Sequence, residues 1–259
     1  MLAVALVAVV YWQRRHRVSF ALFLLGALAW VVANGLKSIA AIPIPTVIDT
    51  VRAALPGALA EPLLWLYIGL LTGIFECGVV LGVAHIRRVR SSHWPEAVGF
   101  GLGFGAIEAI LLGVSSLTVT LLIILIPDQL PPELLQLADE QGGSLLAIPA
   151  PIVERVITML VHAFSCVLII YAVQTRQWKW FWLSFLYKTT LDTIAGFIQL
   201  TVGVQNLTIL GMWLVELVLL PFGIAGLWGL VVFRQRWPLG HLPSLAHSAG
   251  TQTPTSPTV

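Results

Sequence analysis

Inside stretches that are otherwise apolar, the chain carries Glu76, Glu108, Glu154, Arg155, His162, Lys188, Asp192 and Glu216. Ionisable groups in such surroundings are costly, and within a membrane segment they mark functional sites by default. A glutamate can move a proton, and a histidine can bind a metal or stabilise an oxyanion. Each residue also has a plainer reading. Lys188 and Asp192 stand four apart on one helix face and can neutralise each other. Arg155 can pair with Glu154 or Glu108, and His162, seven residues on, shares its face. Glu216 reads as a structural hydrogen bond. Asn34 and Lys37 read as a cap and a snorkelling side chain.

The elements that hold these residues follow from composition. The 259 residues are 58% hydrophobic and only 10% charged, and the mean hydropathy is +0.92. A soluble domain has about 25% charged residues and roughly 45–50% apolar ones. This chain must therefore use a lipid bilayer as its solvent, and a span needs about 20 apolar residues. The expected fold is an all-α polytopic membrane helix bundle. Its seven spans lie near 1–12, 19–42, 62–85, 97–126, 151–173, 180–200 and 207–233. Residues 1–237 form one transmembrane domain. The first run is short and precedes its basic residues, so it reads as a truncated span and not a signal peptide.

Basic residues cluster in "QRRHR" (13–17), "IRRVR" (86–90), "TRQWK" (175–179) and "FRQR" (233–236). These segments follow spans 1, 3, 5 and 7, so alternation puts them all on one side. The positive-inside rule makes that side cytoplasmic, with the N-terminus outside and the C-terminus inside. Trp178, Trp180 and Trp182 beside Lys179 read as an interfacial aromatic belt. A short helix is expected from Pro132 to Gly142–Gly143. The Pro-, Ser- and Thr-rich tail, residues 238–259, is expected to be disordered and cytoplasmic. The net charge of +2 says little as a total, and its distribution says much more; no nucleic-acid partner is expected. Cys77 and Cys166 both sit in apolar runs and read as buried free thiols.

Counting at about 1.5 Å per residue puts Glu76, Glu108, His162, Lys188, Asp192 and Glu216 near the bilayer middle. Glu154 and Arg155 lie nearer the outer end of their span. The glycines of "GFGLGFGAIE" include a G-x-G-x-x-A match, Gly101 to Ala106. No strand precedes it, so a nucleotide loop is a weak reading. Small residues at every fourth position, as in Gly99–Gly103 and Gly101–Gly105, instead let helices approach closely. That approach would bring other spans' polar groups to Glu108.

Four segments together carry a resemblance: "GIFECG", "GFGAIEAILLG", "VERVITMLVHAFS" and "LYKTTLD". Their order and spacing resemble the YhfC family of intramembrane metalloproteases, which is similar to the CAAX protease and bacteriocin-processing group. The likeness runs from "FLLGALAW" through the last span. Its most specific parts are G-x-G-x-x-E-A-I-L, ending at Leu111, and E-R-x(6)-H-x-x-S, from Glu154 to Ser165. The resemblance implies glutamates and histidines gathered in the membrane around a water or a metal. It makes Glu108, His162 and Glu76 the catalytic candidates. Glu154, Arg155, Lys188, Asp192 and Ser165 become a supporting polar network. It also implies a divalent metal such as zinc, with His162 and Glu108 as candidate ligands. Several positions depart from the family pattern. Cys77 replaces a second acid, Val80 a basic residue, Phe104 a histidine and Lys188 another histidine. Lys188 would add a positive charge next to any such metal site and oppose a bound cation.

Three functions follow. The first is a peptidase that hydrolyses a hydrophobic peptide or membrane-protein substrate. The second is an inactive scaffold or binding member of the same fold. The third, a small proton- or cation-coupled transporter, lacks the paired interrupted helices expected of inverted repeats. The expected location is a bacterial cytoplasmic membrane.

Overall fold

A computed structural model describes residues 1–132, 135, 148–203 and 207–237. The tail 238–259, and nearly all of the short helix expected after Pro132, lie outside the described residues. Helices account for the fold because a backbone in lipid must satisfy its own hydrogen bonds. The helices are α1 (Leu2–His16), α2 (Phe20–Ala40), α3 (Ile44–Ala54), α4 (Gly57–Thr72), α5 (Gly78–Ala84), α6 (Arg87–Arg90), α7 (Trp94–Leu125), α8 (Ala150–Thr175), α9 (Lys179–Phe197) and α10 (Ile209–Arg236). A π-turn, Gly73–Cys77, joins α4 to α5, so the two make one continuous rod. A second π-turn, Ile198–Val202, extends α9.

The protein is an integral membrane protein. Five rods are long and apolar enough to cross a membrane: α2, the α4–α5 rod, α7, α8 and α10. The two remaining apolar runs form α1, with 15 residues, and α9, with 19. Both pack into the bundle, α1 against α7 and α9 against α4 and α8. The expected loop 43–61 contains α3, which buries none of its residues. Arg52 there grips Glu61 with two hydrogen bonds, at 2.8 and 3.1 Å.

Helix α8 is the axis of the bundle. Every residue from Val161 to Val173 is buried, and α7, α9 and α10 all pack on it. The outward faces are apolar and exposed, including Leu111, Leu117 and Leu121 on α7 and Leu210, Leu214 and Leu217 on α10. Lipid tails are as apolar as these side chains, so exposure there is not costly. Cys77 and Cys166 are buried and unpaired with each other, as their apolar settings suggested. Trp178 and Trp182 are exposed, and the Lys179 ammonium lies 5.1 Å from the Trp180 ring centre.

Candidate active site inside the helix bundle

Glycines bring the site's helices together. A Cβ at Gly103 would overlap the Phe23 carbonyl, and one at Gly26 would overlap the Phe100 carbonyl. Helices α2 and α7 therefore cross with backbone against backbone, which only glycine permits. On α7's other side, a Cβ at Gly105 would come within 3.2 Å of His162 Cβ. So α7 is drawn onto α2 and α8 at once, and Glu108, one turn further along, lies between side chains from both.

Glu108 receives three partners there. Arg155 Nη1 donates to Oε1 at 2.9 Å, and Trp30 Nε1 donates to Oε2 at 3.1 Å. His162 Nε2 lies 2.8 Å from the same Oε2. A carboxylate only accepts, so that contact assigns the ring proton to Nε2. Nδ1 is then the acceptor, and Lys188 Nζ stands 3.3 Å from it. Arg155 also holds Glu154 through Nη2.

Glu76 sits in the π-turn, a local widening of the helix that recurs at functional sites. Two ammonium groups flank it. Lys37 Nζ is 3.1 Å from Oε1 and Lys188 Nζ is 2.9 Å from Oε2. His162 Nδ1 is 3.8 Å from Oε2. Asp192 accepts a hydrogen bond from Thr72. These groups border a cavity of about 430 Å³ lined by Trp30, Lys37, Glu76, Glu108, His162 and Lys188, among others. In and beside this cavity the carboxylates Glu76, Glu108, Glu154 and Asp192 lie among Lys37, Lys188, Arg155 and the His162 imidazole.

The structure brings Glu76, Glu108, Glu154, Arg155, His162, Lys188 and Asp192 into one contiguous cluster. Ser165 lies apart from it. Its Oγ is 2.6 Å from Ser184 Oγ, and Ser184 sits 3.8 Å from the Cys77 sulfur. Val80 is buried in the apolar core, and Phe104 is buried with its ring 5.2 Å from the His162 ring.

Two simple readings of the sequence need correcting, and one needs extending. Lys188 makes its ion pair with Glu76, across to another helix, while it also acts on Asp192 one turn along its own. Lys37 does not snorkel outward; its stem turns inward because Glu76 offers a buried counter-charge. Glu216 is buried, yet its Oε2 has no hydrogen-bond partner among the described residues. Trp30, Lys37 and Thr72 went unnoticed as site residues. A signal for two of them existed: Trp30, Asn34 and Lys37 recur at four and three residues, which is one face of a helix.

A metal does not fit these residues as they stand. Among the described residues no three His, Cys, Asp or Glu side chains converge to hold one. The point shared by Glu76 and His162, where a cation would be liganded by both, holds the Lys188 ammonium. Phe104 contributes a ring with no donor atom, and Cys77 faces Ser184.

The family model described as YhfC intramembrane metalloprotease matches residues 1–219. The chain belongs to this family. No curated protein and no solved structure matches it. Within this YhfC chain, the matched region takes in every helix of the charged cluster. It also takes in the residues where the metal geometry is lacking.

Proposed function

We propose that this YhfC chain admits a hydrophobic peptide segment to the 430 Å³ cavity and hydrolyses it without a metal. The contact that carries this reading is His162 Nε2 to Glu108 Oε2 at 2.8 Å. A buried carboxylate on one ring nitrogen fixes the tautomer and supports the imidazolium that forms when the other nitrogen takes a proton. In the proposed reaction a water displaces Lys188 from Nδ1 and gives its proton there. The oxygen attacks the peptide carbonyl. The Lys188 and Lys37 ammonium groups line the cavity and supply positive charge for the developing oxyanion. The imidazolium then returns the proton to the leaving amine. Glu76 holds the two lysines and Arg155 holds Glu108, so neither carboxylate is the base.

A second reading, binding without hydrolysis, is favoured by one observation. Glu76 and Glu108 are each already contacted by cations, so a substrate must displace existing contacts to reach them. The experiment is to purify the protein in mild detergent, remove metals with chelator, and offer a panel of membrane peptides. Cleavage that survives chelation and disappears in His162→Ala and Glu108→Gln supports hydrolysis. Binding without cleavage supports the second reading. Cleavage that needs added metal overturns the metal-free route.

A further inference from the structure

A second cavity of about 440 Å³ opens beside the first, on the far side of Glu108 and Asp192. The two share Glu108, Thr158, Leu191 and Asp192 in their walls. Beyond those, its polar wall is Glu154, Arg155, Gln199 and Glu216, and its apolar wall includes Met212 and Leu219. Counted over both cavities, the five carboxylates Glu76, Glu108, Glu154, Asp192 and Glu216 face three cations, Lys37, Lys188 and Arg155, and the His162 imidazole. The Arg155 guanidinium gives Nη1 to Glu108 and Nη2 to Glu154, while its buried Nε has no partner among the described residues. Asp192 is bonded to Thr72.

Glu216 is left over. It is 7% exposed, it lines the cavity, and its buried Oε2 has no partner among the described residues. A buried carboxylate oxygen without a donor costs on the order of 1–3 kcal/mol or more, and a native fold retains few such groups. What Glu216 Oε2 lacks is a hydrogen-bond donor, and the excess of two carboxylates over cations across the two cavities favours a positive one. Met212 and Leu219 beside Glu216 suit a donor carried on an apolar chain.

We propose that this cavity is a subsite for a primary alkylammonium group, with Glu216 as its carboxylate. It rests on the peptide reading above for its source, which is a free N-terminus or a lysine of the bound segment. The ammonium would sit against Glu216 while the chain passes Glu108 into the first cavity.

Two arms test this on the full chain in detergent. In the first, the melting temperature is followed against n-butylammonium chloride, with sodium chloride and n-butanol as controls. A rise with butylammonium alone, abolished in Glu216→Gln and in the cavity-filling Met212→Trp, is expected. If Glu216→Gln fails to fold, Met212→Trp decides. No rise, or an equal rise in either variant, overturns the subsite. In the second arm, three forms of one apolar peptide are compared for binding: free N-terminus, N-acetylated, and N-acetylated with one lysine. At least one amine-bearing form should bind about tenfold or more tighter than the plain acetylated form, as one charge-assisted hydrogen bond warrants. Which form it is identifies the source. Peptides that bind through His162 with no amine preference overturn the subsite and leave the peptide reading intact. A butylammonium response without any peptide binding does the reverse.

Discussion

Replacing Lys188 with Met removes a buried ammonium without removing volume. The structure sets the size of the effect. Nζ is 2.9 Å from Glu76 Oε2, and both side chains are about 95% buried. Coulomb's law at that separation, with an effective dielectric constant of about 20, gives about 6 kcal/mol for the pair as a ceiling. Lys37 remains 3.1 Å away on the other oxygen, so Glu76 keeps part of its compensation. Breaking a buried pair from one side typically costs about 3–5 kcal/mol, because the surviving charge is stranded. Lys188→Met should therefore destabilise the protein by about 3 kcal/mol or slightly more. Glu76→Gln in the same chain should restore most of that, since the stranded charge is gone. The assay is reversible unfolding in mixed micelles titrated with dodecyl sulfate, read by tryptophan fluorescence, over the full double-mutant cycle. A coupling energy of about 2 kcal/mol or more is expected. Additivity to within about 0.5 kcal/mol would refute the view that Lys188 and Glu76 stabilise each other as a buried pair.

Other outcomes follow from the same geometry. Lys188→His replaces the internal cation with a ligand beside Glu76 and His162, so this variant should retain zinc through dialysis, by elemental analysis, where the wild type does not. Chelator treatment of the wild type should leave its melting temperature unchanged. Trp30→Phe removes one donor to Glu108 and should cost about 1.5–3 kcal/mol, the worth of a hydrogen bond to a charged group; a neutral result would mean the indole contact is not formed in the membrane. Gly103→Ala pushes a methyl group into the Phe23 carbonyl and should reduce the folded yield in detergent, whereas Gly78→Ala and Gly82→Ala, where a Cβ meets open space, should fold as well as wild type.

The sequence by itself determined the class of fold and most membership of the charged cluster. Apolar runs and basic loops are local properties, and the bilayer turns an apolar run into a helix because no other backbone satisfies itself there. Depth along a helix is simple counting, so the meeting of Glu76, Glu108, His162, Lys188 and Asp192 near one level was legible. The glycines were legible too, since small residues at every fourth position have a packing meaning without any partner being known. What counting along one helix cannot give is rotation against its neighbours. Lys188 could reach Asp192 on its own face or Glu76 across the bundle, and only the packing of α9 on the α4–α5 rod chose Glu76. A π-turn has no clear sequence signature, yet it lies at Glu76 itself. Ser165 falls on the same helix as His162 but faces Ser184, and Lys37 turns inward because a buried carboxylate awaits it. Pairing among buried charges depends on distances of a few ångströms between different helices. Those distances are set by the whole bundle at once, so only the tertiary structure decided that the Lys188 ammonium stands between Glu76 and His162.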